Sequence, residues 1–138
     1  AGPEQCQIML TWGPGEQTAA QQIADLASTR IDLAPPMPSL KHFAYLVSRA
    51  DVYFGGDTGP MHIASTMGTP VVAIFGPTDP AVNGPYREPN RVLYSAMDCS
   101  PCRERRCDKN HECMTAITPQ MARTAILDLI RTATRDNT

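Results

Sequence analysis

The sequence has 138 residues, of which 42% are hydrophobic and 19% charged, a balance that is typical of a globular domain. Its formal net charge of −2 argues against a nucleic-acid-binding surface. No apolar run approaches the roughly 20 residues that a membrane-spanning helix requires. The first residues show no signal-peptide pattern and lead directly into a strand-like segment. We therefore expect one domain over residues 1–138 that is a fragment of a longer protein.

Apolar runs predict five strands along the chain. They are Cys6–Thr11, Ile31–Ala34, Asp51–Phe54, Val71–Phe75 and Arg91–Tyr94. The first and fourth are expected to be buried, with Cys6 as a small core residue. Gly55 and Gly56 are expected to stop the third strand.

Helical patterns fall between these strands. Ala20, Ile23 and Ala24 recur at the spacing of one helix face, and Ser39 is placed to cap a second helix. Gly59 and Pro60 suit the N-cap and first position of a third helix, which Gly68 would end. Thr118-Pro119 opens the last one. Strands that alternate with helices predict an α/β fold with a Rossmann-like parallel sheet and helices on both faces.

The segment from Gly55 to His62 carries the clearest chemistry. Glycines let the backbone approach a ligand, and the first amides of the following helix form an anion site that suits a diphosphate. Thr58 adds a hydroxyl donor, and His62 lies about one turn into the helix. Asp57 is a poor neighbour for phosphate, so we expect it to accept hydrogen bonds from sugar hydroxyls or to anchor the loop. A simple helix cap with a solvated His62 explains the spacing equally well.

The dinucleotide fingerprint and the P-loop are both missing, which disfavours a nicotinamide enzyme or an ATPase. The blocks Ala50–Ala64 and Gly68–Pro80, together with Ser39-Leu40, Trp12–Glu16 and the last helix, resemble the C-terminal half of glycosyltransferase family 9. This family contains the ADP-heptose:lipopolysaccharide heptosyltransferases. The resemblance implies the donor-binding half of a two-domain (GT-B) glycosyltransferase. It transfers heptose or a related sugar to lipopolysaccharide core or a similar cell-surface glycan.

The resemblance also assigns roles to single residues. Asp57, Thr58, Gly59 and His62 would surround the diphosphate and sugar of the donor. Glu16 matches the acidic residue that holds the ribose hydroxyls, and a helix-stabilising role is compatible with this. The remaining matches are weaker. Met61 would lie near the nucleotide or simply in the core, and Gly76 and Pro77 would lie at the rim of the cleft. Trp12 is expected to be a packing residue.

The rest of the machinery is expected outside these residues. The family's catalytic carboxylate and acceptor surface belong to the N-terminal domain, and a basic phosphate-binding residue lies upstream. The implied reaction is displacement with inversion, in which this domain stabilises the leaving diphosphate. It needs no metal, and the sequence lacks an Asp-x-Asp pair. The expected partners are a nucleotide-diphosphate sugar, the N-terminal domain and a lipid-linked acceptor. The expected location is the cytoplasm, at or near the inner membrane.

Four cysteines lie close together in residues 99–113, at Cys99, Cys102, Cys107 and Cys113. Four thiols suit a structural zinc site, and the basic residues among them favour thiolates. Two disulfides, an iron–sulfur cluster and free thiols are the alternatives, and His111 could replace one thiol. The loose spacing of the second pair does not decide between them.

Two other functions remain open. The first is a non-catalytic module that binds a nucleotide or sugar phosphate and uses a zinc-knuckle loop to dock a partner. The second is another Rossmann-type enzyme, such as a nucleotide-sugar epimerase, although its acidic and histidine residues are not recognisable. An upstream domain with a carboxylate facing this cleft would favour the transferase.

Overall fold

The computed structural model describes residues 6–104 and 106–135. Its helices and strands follow one another as β1 (Ile8–Leu10), α1 (Gln17–Leu26), β2 (Ile31–Leu33), α2 (Leu40–Ser48), β3 (Tyr53–Gly56), α3 (Gly59–Met67), β4 (Val71–Phe75), α4 (Pro80–Asn83), β5 (Asn90–Tyr94), α5 (Glu112–Thr115) and α6 (Pro119–Arg135). The chain divides into two compact units, Ala1–His42 and Phe43–Thr138. No helix within the described ranges is long and apolar enough to cross a membrane.

The first unit is built on the parallel pair β1 and β2, and α1 packs against β2. Ala20 of α1 is buried, as its helical spacing predicts, whereas Ile23 on the same predicted face is 55% exposed. The prediction that the first strand is buried is wrong, because Ile8 and Met9 are 45% and 43% exposed. Cys6 is also exposed and is not a core residue. Ile8 and Met9 point to opposite faces of β1, so both faces of this strand are partly open.

The second unit contains a parallel sheet in the order β3-β4-β5. The central strand is buried on both faces, as predicted. Val72 packs with Ala125 and Leu129 of α6. Val71 and Ala73, which point to the opposite face because strand side chains alternate, are also fully buried. Parallel strands with flanking helices confirm the predicted α/β, Rossmann-like class.

The boundaries of β3 and α3 differ from those predicted. β3 begins at Tyr53, whose N–H donates to the Pro70 carbonyl at 2.8 Å, and it includes both glycines instead of ending before them. The N-cap of α3 is Thr58, so Gly59 is already helical. Gly68 ends the helix with φ of 80°, in the left-handed region that favours glycine, as predicted.

The last helix starts where the sequence indicates. The hydroxyl of Thr118 accepts a hydrogen bond from the Met121 N–H at 3.3 Å, which caps the first turn of α6. The short helices α4 and α5 have no counterpart in the sequence prediction. Each has four residues, which is too short for a helical period to show in the sequence.

Candidate functional site

The candidate site lies in the second unit, where two neighbouring strands end. β3 and β4 run parallel and side by side, with Gly56 opposite Ile74. The segments that follow them therefore leave the same edge of the sheet, which is where ligands bind in folds of this class. One of these segments is residues 57–62, and the other is residues 76–83.

A tyrosine that the sequence analysis did not single out shapes the first segment. The Tyr53 ring lies over Gly55, and a Cβ atom on that glycine would be 2.6 Å from the tyrosine hydroxyl. Burial raises the pKa of Tyr53, and a hydrogen bond with the Thr58 side chain acts in the opposite direction. Tyr53 is therefore a neutral phenol near pH 7, and it contacts Thr58 at the start of α3. A side chain at position 55 would force the Tyr53 ring to shift.

The N-terminus of α3 lacks a capping side chain. Thr58 has extended backbone angles, and its carbonyl accepts hydrogen bonds from the N–H groups of Met61 at 3.0 Å and His62 at 3.4 Å. Its side chain makes no cap hydrogen bond; the hydroxyl is 3.5 Å from the Gly56 carbonyl. The N-cap side chain therefore leaves the first N–H groups of this helix without a capping hydrogen bond. An anion that approaches it meets backbone and hydroxyl donors.

Asp57 and His62 face each other at this helix end. The Asp57 Oδ1 atom lies 3.7 Å from His62 Nε2, a distance that makes an ion pair only when the imidazole is protonated. The other carboxylate oxygen, Oδ2, accepts a hydrogen bond from the Asn83 side-chain amide at 3.2 Å. The Asp57 side chain is 19% exposed and that of His62 is 40% exposed, so the histidine is the more accessible of the two. Asp57 is thus anchored within the loop, which is one of the two roles expected for it.

The other residues predicted in this region lie deeper. Met61 is completely buried, which agrees with the second of its two predicted positions, the core. Gly76 is buried as well, and a Cβ atom there would collide with the Met114 side chain and lie 3.2 Å from the Cys113 sulfur. Pro77 is half-buried, and its carbonyl accepts a hydrogen bond from the Arg103 N–H at 2.8 Å. Gly76 and Pro77 therefore contact the cysteine-rich segment directly.

Glu16 and Trp12 belong to the first unit. Glu16 is exposed and is the N-cap of α1, and its Oε2 atom accepts a hydrogen bond from the Gly13 N–H at 2.8 Å. The Trp12 indole N–H donates to the Ala34 carbonyl at 2.9 Å, so this half-buried ring is held against β2's end as a packing residue. Ribose binding by the Glu16 carboxylate stays a prediction.

The four clustered cysteines line one small cavity. Cys99, Cys102, Cys107 and Cys113 surround about 130 Å³ together with Lys109 and Glu112. This volume is too small for a nucleotide, since pockets for such ligands have roughly 300 Å³ or more. The Cys107 sulfur accepts hydrogen bonds from the N–H groups of Lys109 and His111, both at 3.4 Å. All five cysteines of the chain are free thiols in this structure.

The cysteine-rich segment also holds the second segment of the candidate site. The Ser100 hydroxyl donates to the Gly76 carbonyl at 2.6 Å and lies 3.0 Å from the Tyr94 hydroxyl. With the bond from Arg103 to Pro77, these contacts fix the chain just after β4. The segment thus has a structural role that does not depend on what its thiols bind.

Four thiols are the donor set that a soft metal ion prefers, so the chemistry fits zinc. Their arrangement does not: in residues 6–104 and 106–135 no three histidine, cysteine or acidic side chains are placed to hold a metal ion. Binding would require the thiols to rearrange around the cavity. The structural zinc, the disulfides and the iron–sulfur cluster all stay predictions, and no step of the chemistry below depends on them.

Elemental analysis tests the zinc prediction. If the four thiols rearrange to close a tetrahedral site, reduced protein that is purified without chelators would contain about one zinc per chain. Cys107→Ser should lose the metal, whereas Cys6→Ser should keep it, since Cys6 is exposed in the first unit. Reduced wild-type protein without bound metal would show that the cysteines are not a zinc site.

Comparisons with known proteins extend over most of the chain. A lipooligosaccharide heptosyltransferase 2 of Campylobacter jejuni is 31% identical over 84 residues, which are 59% of this chain and 27% of that protein. The crystal structure of a family 9 glycosyltransferase from Veillonella parvula superposes with a TM-score of 0.80 at 23% identity, over 91% of this chain and 37% of that one. The structure of E. coli heptosyltransferase WaaC with ADP gives a TM-score of 0.60 at 30% identity, over 65% of this chain and 28% of that one.

The chain thus spans between a quarter and two fifths of the length of these relatives. Residues 1–112 match the sequence profile of the family described as glycosyltransferase family 9 (heptosyltransferase). The match includes both segments of the candidate site. This protein chain therefore belongs to glycosyltransferase family 9.

Proposed function

We propose that this chain is the donor-binding part of an inverting glycosyltransferase, and that residues 57–62 bind the diphosphate of a nucleotide sugar. The observation that carries the proposal is the uncapped N-terminus of α3, with the Thr58 hydroxyl and the accessible His62 side chain beside it. A diphosphate needs donors and positive potential at one place, and this helix end offers the Gly59 N–H, the Thr58 hydroxyl and the partial charge of the helix. Pro60 has no N–H, and the N–H of Met61 bonds to the Thr58 carbonyl at 3.0 Å. The family membership of residues 1–112 supports the same assignment.

ADP-heptose is the donor that we propose, with lipopolysaccharide core or a related glycan as the acceptor. The support is the set of relatives: heptosyltransferases acting on lipooligosaccharide or lipopolysaccharide, one of them solved with ADP. The N-terminal domain and a lipid-linked acceptor follow as proposed partners. A position at the inner face of the inner membrane stays a prediction.

The proposed chemistry divides between this chain and the rest of the enzyme. A carboxylate outside these residues would take the proton of the acceptor hydroxyl, which then attacks the anomeric carbon of the donor. As the bond from that carbon to the diphosphate breaks, negative charge builds up on the leaving oxygens. The Gly59 N–H at the start of α3, the Thr58 hydroxyl and the His62 imidazole would stabilise this charge without rearranging, because the fold holds them in place beforehand.

A calorimetric titration of the chain with ADP, UDP and GDP tests the proposal. We expect ADP to bind in the micromolar to millimolar range and UDP and GDP to bind more weakly. We also expect no sugar transfer from ADP-heptose by the 138-residue chain alone, because its base and acceptor surface are proposed to lie elsewhere. Failure of all three nucleotides to bind would overturn the donor-site assignment, and transfer by the isolated chain would overturn the proposed division of labour.

A further inference from the structure

Asn83 connects the two segments of the candidate site. Its side-chain amide donates to Asp57 Oδ2 at 3.2 Å, across 26 positions of sequence. Both residues are half-buried. The two carboxylate oxygens of Asp57 therefore have different surroundings: Oδ2 is held by Asn83, and Oδ1 faces His62 at 3.7 Å.

The position of Asn83 is fixed by a tight turn. Asp79 caps α4, since its side chain accepts a hydrogen bond from the Ala81 N–H at 2.9 Å and its carbonyl accepts one from the Asn83 N–H at 2.9 Å. The Gly84 N–H closes the turn with a 2.8 Å bond to the Pro80 carbonyl. The turn follows β4 directly, so it carries Asn83 to the sheet edge where the segment after β3 also lies. Asn83 is therefore a well-placed donor.

A carboxylate beside an anion site can weaken the binding of the anion in two ways. It repels a bound diphosphate, and it is itself an anion that the N-terminus of α3 attracts. Asp57 immediately precedes the N-cap residue Thr58, so a freely rotating carboxylate could turn toward the Gly59 N–H at the helix start and occupy the place of the ligand. A neutral amide donor holds the carboxylate without adding a charge to the site. It also satisfies an oxygen that would otherwise be half-buried without a partner.

We propose that Asn83 is a positioning residue of the donor site. It holds the Asp57 carboxylate away from the N-terminus of α3 and in place beside His62, so that the helix end stays open to the diphosphate. This inference rests on the proposed function, because it concerns the same ligand. It predicts that Asn83 affects nucleotide binding only through Asp57.

A double-mutant cycle tests this, with ADP as the probe and calorimetry as the measurement. Asn83→Ala is expected to weaken ADP binding about five- to tenfold, the size of one ordinary hydrogen bond. The same substitution in an Asp57→Ala background is expected to change ADP binding less than twofold, because no carboxylate remains to be held. Asn90→Ala is the matched control: this asparagine donates to the Pro85 and Arg87 carbonyls in the loop after α4. It should leave the affinity for ADP unchanged.

Equal losses of affinity in the two backgrounds would overturn the inference and leave the proposed function standing. So would unchanged affinity in Asn83→Ala. If wild-type protein binds no ADP, both proposals fail. Thermal unfolding of each variant shows whether it folds. If Asn83→Ala does not fold, Asn83→Asp replaces it in the double-mutant cycle. This change puts a second carboxylate beside Asp57 and should weaken ADP binding more than tenfold, with little effect in an Asp57→Asn background.

Discussion

His62→Glu is expected to reduce the affinity of the chain for ADP by about 100-fold. The substitution places a carboxylate one turn into α3, where the proposed diphosphate meets the helix N-terminus. Bringing like charges together at a binding site costs on the order of several kcal/mol, and each 1.4 kcal/mol is about a tenfold change in affinity. Calorimetric titration of wild type and variant with ADP measures the loss.

A matched control uses the other end of the same helix. Met67 is the last residue of α3 and is 43% exposed, so Met67→Glu makes the same change in net charge without entering the proposed site. We expect it to change ADP binding less than twofold. His62→Gln, which keeps a hydrogen-bond donor, should fall between wild type and His62→Glu. Equal losses in His62→Glu and Met67→Glu would show that net charge matters and that the N-terminus of α3 does not bind the diphosphate.

The sequence predicted the central features of this region because they depend on local physics. A continuous apolar run made β4 a buried strand, and the glycines near residue 55, with Pro60 behind them, indicated a turn from strand to helix. The exact boundary was less accessible. Gly55 and Gly56 were expected to stop β3 but lie in it, because the parallel partner β4 pairs with both of them. Pairing with a neighbouring strand is a tertiary property, and a local pattern does not contain it.

Asn83 and Tyr53 could not be predicted, and for related reasons. Asn83 reaches Asp57 across 26 positions, through a helix of four residues that leaves no periodic signal. Tyr53 lies in a strand pattern where an aromatic residue needs no explanation, and its ring lies over Gly55 and contacts Thr58 in the next segment. In both cases the chemistry arises from two segments that meet at the sheet edge. An asparagine after a proline-containing turn, close to a strand end, is the weak signal that could have drawn attention to residue 83.

For the cysteine-rich segment, the sequence predicted the clustering of the cysteines but not the contacts that the segment makes. The spacing of its four cysteines predicted that they lie together, and all four line one cavity. Spacing contained no information about its contacts with Gly76 and Pro77, which come from Ser100 and the backbone of Arg103. The part of this segment that shapes the candidate site is thus made by residues between the cysteines.

Leu129→Ala is expected to lower the free energy of unfolding by about 2–5 kcal/mol, the range for a fully buried leucine. Leu129 is completely buried and packs with Val72 and Ala125 in the core between α6 and the sheet. Truncation removes the transfer energy of its methyl groups and leaves a cavity that the rigid strand β4 cannot fill by moving. Urea unfolding followed by circular dichroism gives the change in free energy.

Met121→Ala on the same helix is the control, since Met121 is 41% exposed. It should change the free energy of unfolding by less than about 0.5 kcal/mol, as exposed substitutions generally do. Losses of similar size in the two variants would mean that α6 is not anchored to the sheet through Leu129. The distinction matters for the site, because Val72 lies in β4, from which the segment that contains Gly76 and Asn83 departs. Leu129→Ala should therefore weaken ADP binding only under conditions where an appreciable fraction of the protein is unfolded. A loss of affinity in the fully folded variant would mean that the core also affects the geometry of the site.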